Sequence, residues 1–113
     1  MLRAAALALT AALALSAAAS AMTPAQALAK QLKKSMQAYY TKSNPGLKIT
    51  TVKCTIAKSG KSGHCVAHFT VASQHAEGVF QLQETIDPTI GSVSTKTVGV
   101  SCKDTRTGKK RPC

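Results

Sequence analysis

The side chains able to do chemistry in this chain of 113 residues are few: Cys54, Cys65, Cys102 and Cys113, three histidines (His64, His68, His75) and four carboxylates (Glu77, Glu84, Asp87, Asp104). Cys54, His64, Cys65 and His68 are close enough in sequence to suggest a metal site, but extended geometry argues against one. On a strand His64 and His68 share one face while Cys65 points to the other. The two histidines are also about 13 Å apart along a strand, too far to share an ion. No Cys-x-x-Cys redox motif occurs. Four cysteines in a short chain therefore read as two disulfides, and neither a metal nor a cofactor is expected.

Acid–base catalysis finds little support. Asp87 precedes Pro88 and Asp104 opens an Asp-x-x-x-Gly stretch, both ordinary turn positions. Glu84 interrupts the apolar phase of its strand and is expected at an edge or facing solvent. His75 with Glu77 makes half of an acid–base pair, yet an exposed loop gives no desolvation to tune it. Gly-x-Ser-x-Gly, His-Glu-x-x-His and phosphate-binding glycine loops are all missing from the sequence. The expectation is that the protein is not an enzyme. An enzyme would need a cleft joining His75 or His68 to Glu77 or Glu84.

The charge is more informative. Lys and Arg total 15 against 4 Asp and Glu, a formal net charge of +11, which favours anionic partners. The densest cluster is Lys103, Arg106, Lys109, Lys110 and Arg111. With Lys58 and Lys61, on a first hairpin that also carries Lys48 and Lys53, these are the candidate anion-binding residues. A helix adds Lys30, Lys33 and Lys34. Anionic cell-wall polymer, a membrane surface or a protein target are the expected partners. Nucleic acid is not, because binding it calls for stacking aromatics beside the basic patch. Aromatics make up 4% of the chain, and only Tyr39 and Tyr40 qualify.

These groups must be positioned by a small set of elements. Thr23-Pro24-Ala25-Gln26 reads as a capping box with proline at the first helical position. Leu28, Leu32, Met36 and Tyr40 recur at helical spacing until Asn44-Pro45-Gly46, so an amphipathic helix is predicted over about 24–41. Leu47 and Ile49 share one strand face and Val52, Cys54 and Ile56 the other parity. A β-bulge at Thr50-Thr51 would reunite them. A hairpin about Ser59-Gly60 then sets Cys54 opposite Cys65, Val52 opposite Ala67, Ile49 opposite Phe69 and Leu47 opposite Val71, and this register favours Cys54–Cys65 and leaves Cys102–Cys113. A polar loop, Ser73 to Gly78, leads to a third strand from Val79 to Ile86. A fourth, Ser92 to Cys102, is expected to turn Val98, Val100 and Cys102 inward.

Met1 to Ala21 reads as a secretory signal peptide: Arg3 in the positive segment, an Ala/Leu-rich run from Ala4 to about Leu15, and Ala19-Ser20-Ala21 as the cleavage site, with Ala17-Ala18-Ala19 fitting the same rule. The run is too alanine-rich, and too broken by Thr10 and Ser16, to read as a membrane anchor. A secreted domain spanning 22–113 is expected.

Three stretches carry a family resemblance: Thr51-Val52-Lys53-Cys54, Gly63-His64-Cys65-Val66-Ala67, and the ending from Cys102 through Lys110 with Cys113. They look like small secreted actinobacterial proteins of unknown function. The Cys–hairpin–Cys part is similar to the domain-of-unknown-function family 4333, over about a quarter of the mature chain, and the Cys102/Cys113 pair lies outside that family's single-hairpin pattern. The resemblance implies export and a helix-plus-sheet fold and carries over no catalytic residue. One helix on a curled sheet also resembles cystatin-like inhibitors in shape, without their glutamine–valine–glycine loop.

The fold expected is α+β: one N-terminal amphipathic helix packed on a four-stranded antiparallel β-meander (about 47–102), stapled by two disulfides, with a disulfide-closed basic tail over 102–113. The function expected is a non-catalytic, envelope-associated binding protein with a basic surface for anionic partners. The alternative is a secreted inhibitor of a protease or other enzyme.

Overall fold

A computed structural model describes the backbone of 9–12 and residues 22–113. Apart from Leu9–Ala12, the expected leader over 1–21 lies outside the described residues. In chain order the elements are β1 (Leu9–Ala12), α1 (Pro24–Ser43), β2 (Leu47–Ile56), β3 (Ser62–Val71), a 3-10 turn (Ala72–Gln74), β4 (Ala76–Asp87), β5 (Ser92–Asp104) and β6 (Lys110–Arg111). The fold is α+β, with α1 packed on one face of an antiparallel sheet.

Helix α1 starts where its cap chemistry dictates. The Gln26 backbone N–H donates to Thr23 Oγ1 at 3.2 Å, and the Thr23 N–H donates to Gln26 Oε1 at 3.0 Å. It ends as the Asn44 N–H bonds the Tyr40 carbonyl at 2.8 Å and Gly46 takes φ 96°. Leu28, Leu32, Met36 and Tyr40 form its buried stripe. Gln37 reaches past the stripe to the free edge of β2. Its Nε2 donates to the Leu47 carbonyl (3.1 Å), and its Oε1 accepts from the Ile49 N–H (2.8 Å). An open strand edge is thereby partly closed.

The four long strands form the meander β2-β3-β4-β5, and the first hairpin has the register read from sequence. Leu47 faces Val71, Ile49 faces Phe69, Val52 faces Ala67 and Cys54 faces Cys65, with the irregularity between Ile49 and Thr51. Several expectations require correction. The sheet is larger than four strands: β1 and β6 both add to the outer edge of β5, β1 against Ser92–Thr95 and β6 against Cys102–Lys103. Strand β6 exists because the Cys102–Cys113 disulfide folds the tail back, and β1 means that α1 is not the first element of the chain. Val98 faces solvent, 54% exposed. The pairing of β4 with β5 shifts between Gln81 and Leu82, so Val98 is the extra residue of a bulge and Thr97 takes the place opposite Leu82. Strand β4 also begins earlier than expected. His75 adopts a left-handed conformation (φ 51°) that reverses the chain within a few residues.

The core lies between α1 and the inner sheet face. Tyr40 stacks on Phe80 (centroids 5.4 Å apart) and Phe80 on Phe69 (4.5 Å), linking helix, β4 and β3. Gly78 makes this possible: a Cβ there would collide with the Phe69 ring and the Ser101 carbonyl oxygen. Gly78→Ala is expected to lower the unfolding free energy by about 1–3 kcal/mol, the usual cost of overpacking. Urea denaturation followed by circular dichroism checks this; an unchanged midpoint would show that Phe69 repacks freely.

Candidate functional site

Both disulfides are present: Cys54–Cys65 with Cα atoms 4.1 Å apart, and Cys102–Cys113 at 5.3 Å. Such bonds persist in oxidising compartments. All four sulfurs are committed, and among the described residues no group of three His, Cys, Asp or Glu could hold a metal ion. Nor is any described helix long and apolar enough to cross a membrane.

The seven candidate cations do not form one patch. Lys58 and Lys61 sit in the β2–β3 turn, beside the β4–β5 end, where the Lys61 carbonyl accepts from the Ile86 N–H. Lys103 to Arg111 lie at the opposite end of the sheet, about nine residues along β3, or roughly 30 Å. Their cluster is also partly neutralised. Arg106 donates from Nε and Nη2 to Asp104 at 3.3 and 3.1 Å, Arg111 Nη1 lies 3.8 Å from the same carboxylate, and Arg111 Nη1 also donates to the Gln74 carbonyl at 2.7 Å. The Arg106 side chain and backbone N–H hold Asp104 well below the ordinary carboxylate range, at about 2. Lys103 pairs with Glu77 across β4–β5 at 3.0 Å. Lys109 and Lys110 have no ion-pair partner among the described residues.

What the topology does bring together is the outer face of the sheet, the one α1 does not cover. Side chains alternate between faces, and since Leu47, Ile49, Cys65, Ala67, Phe69 and Leu82 are buried, their neighbours point out. One cross-strand row reads Lys48, Thr70, Glu77, Lys103, Lys110 from β2 to β6; the next reads Thr51, His68, Val79, Ser101. Lys53 and Lys96 lie further along β2 and β5. Exposed lysines therefore rim the face on both sides, with a polar middle between them. Lys48 and Lys110 are four strand spacings apart, about 19 Å. A groove of about 360 Å³ runs across the end carrying His68, Thr70, Glu77, Lys103 and Lys110. Lys96 was not singled out from the sequence. The parity of Thr95 and Lys96 along β5 marks it, once the bulge after Thr97 is placed.

The histidines and carboxylates are scattered relative to any catalytic pairing. His64 and His68 point outward and Glu84 inward. His68 and Glu77 share the groove as diagonal neighbours, with no hydrogen bond between them among the described residues. His75 lies in the exposed turn.

Glu84 contradicts its expected solvent exposure. It continues the inward series Phe80, Leu82, Glu84, Ile86 without a break and is 0% exposed. Gly63 stands opposite it on β3 and Thr95 on β5. Thr95 Oγ1 donates to Glu84 Oε1 at 2.6 Å, while Glu84 Oε2 and the nearby strand's Thr97 Oγ1 are buried without a hydrogen-bond partner among the described residues. Burial raises the Glu84 carboxyl above its ordinary value, offset in part by the Thr95 hydroxyl and the charge of His64. A comparison with protein families, curated proteins and solved structures finds no match to this chain.

An acid whose folded-state value is raised favours folding in its protonated form. That contribution is complete below the unfolded value near 4.5 and is lost as pH rises through the folded value. Glu84→Gln, neutral at every pH, is therefore expected to be more stable than the parent at pH 7 and to converge with it near pH 4.5. Chemical denaturation at both values checks this; a constant difference across the range would place the carboxyl in contact with solvent.

Proposed function

We propose that this protein is an exported, non-catalytic binding domain that captures a linear anionic polymer on the outer face of its sheet. The observation carrying the reading is the segregation of charge on that face. Lys48, Lys53, Lys96 and Lys110 are exposed there without carboxylate partners among the described residues, and the one acid present, Glu77, is held by Lys103. Export is supported by the signal-peptide pattern over 1–21 and by the two disulfides. The free cations are ammonium groups, whereas the two described guanidinium groups are engaged, Arg106 by Asp104 and Arg111 by the Gln74 carbonyl beside the same carboxylate. Ammonium acts as a point charge that suits phosphate oxygens in many orientations, and a bidentate fork suits a single carboxylate geometry. A flexible phosphate-bearing polymer fits the first description. The face carries no Phe, Tyr or Trp on which bases or sugars would stack.

Long-chain inorganic polyphosphate serves as the probe. If the four free ammonium groups each displace a counterion, affinity falls about fiftyfold between 50 and 200 mM salt. Lys48→Gln, Lys53→Gln and Lys96→Gln combined should remove about three quarters of that salt dependence and weaken binding at least tenfold at low salt. Titration calorimetry reads both quantities. Salt-insensitive binding, or a triple variant that binds like the parent, would overturn the assignment.

A further inference from the structure

Resting on that reading, we infer that the protein has a second polyanion-binding face on the back of α1, opposite the sheet face, and so bridges two anionic polymer segments as a monomer. The helix turns Leu28, Leu32, Met36 and Tyr40 to the core. At about 100° per residue, Lys34 then points directly away from the sheet and Lys30 about 40° to one side, with Lys33 and Lys42 on either flank. These four lysines line one shallow groove along the exposed side of the helix, together with Gln37 and Thr41. Lys30 and Lys42 are twelve residues apart, about 18 Å along the axis, comparable with the width of the sheet face.

Three observations favour a ligand over simple solubility. First, α1 contains no carboxylate: of the four acids, Glu77 lies on the other face, Glu84 in the core, and Asp87 and Asp104 in turns. Second, Lys30 and Lys34 stand at an i, i+4 spacing, where like charges destabilise a helix and a single Glu would stabilise it. Third, a net charge of +11 exceeds the roughly 2–8 that keeps a small domain soluble. The two basic faces are separated by the apolar layer of helix and sheet side chains, so a short polymer segment cannot touch both. The large apolar side chains exposed among the described residues, Met22, Tyr39, Ile90 and Val98, are dispersed rather than gathered as an anchor on either face. A polymer therefore fits better than insertion into a lipid surface.

The test uses polyphosphate of about ten units, long enough for one face only, and long-chain polyphosphate for bridging. Calorimetry is expected to find two short chains bound per protein. Lys30→Gln with Lys34→Gln should leave one site, and Lys48→Gln, Lys53→Gln and Lys96→Gln should leave the other. With long-chain polymer, light scattering should show clusters for the parent, while each single-face variant binds without clustering. Binding of one short chain by the parent, or clustering by a single-face variant to the level of the parent, would overturn bridging and leave the single-face function standing. No binding to either polymer would overturn both. Clustering of phosphatidylglycerol vesicles without clustering of polymer would overturn the polymer as partner.

Discussion

The Cys54–Cys65 disulfide joins two residues that already face one another in the β2–β3 ladder, and with the bulge at Thr50 it fixes the phase of the first hairpin. In a sheet that phase is an all-or-none matter, because a slip of one residue exchanges the two faces. Were β2 to slip so against β3, Lys48 and Lys53 would be driven under the helix and Leu47 and Ile49 out into solvent. The same constraint propagates to β4 and β5 through the continuous pairing of β3 with β4. The separation of an apolar inner face from a basic outer one is thus set by one covalent link and one extra residue. Each link closes a loop between cysteines 11 residues apart, worth about 3 kcal/mol in the chain-entropy model.

Against that apolar inner face, Glu84 is the one carboxylate the fold encloses. Its position is dictated by strand parity between Leu82 and Ile86, and its surroundings are made by small neighbours: Gly63 on one side leaves room, and Thr95 on the other supplies a hydroxyl. A carboxyl left with an unpartnered oxygen costs more as a charge than as a neutral acid, which is why its titration and the stability of the fold are linked. With Glu84 inside and Asp104 and Glu77 engaged by arginine and lysine, little negative charge remains on the surface to oppose the lysines.

Most of the fold was legible in the sequence because local signals agreed with tertiary ones. The capping box at Thr23–Gln26, the apolar pairing across the first hairpin and both disulfides follow from spacing alone. What was not legible depended on events outside any local window. Val98 reads as inward by simple alternation, and only the bulge opposite Gln81–Leu82 turns it out. Glu84 reads as outward from its chemistry and inward from its parity, and parity governs a strand held on both sides. The pairing of β6 requires knowing how far the disulfide draws the tail back, and that of β1 that β5 has an edge to fill. For the site, the cations were visible and their grouping was not. Counting along the chain gathers Lys103 to Arg111 into one cluster, whereas folding neutralises part of it against Asp104 and builds a different group from β2, β5 and β6.

Charge placed only for solubility has no reason to be sorted. Here it is sorted twice, by strand alternation on the sheet, where the one acid present, Glu77, is paired with Lys103, and by helical phase on α1, which carries no acid. The two arginines of the folded domain are used to rigidify the Asp104 turn, a task their planar forks perform better than lysine. The lysines left free keep their mobility, and a mobile point charge on a flexible stem loses little by exchanging a small counterion for a segment of polymer. The division of labour between guanidinium and ammonium therefore follows the same logic as the fold itself: directional groups fix the scaffold, and non-directional ones are left at the surface, where the proposed polymer would meet them.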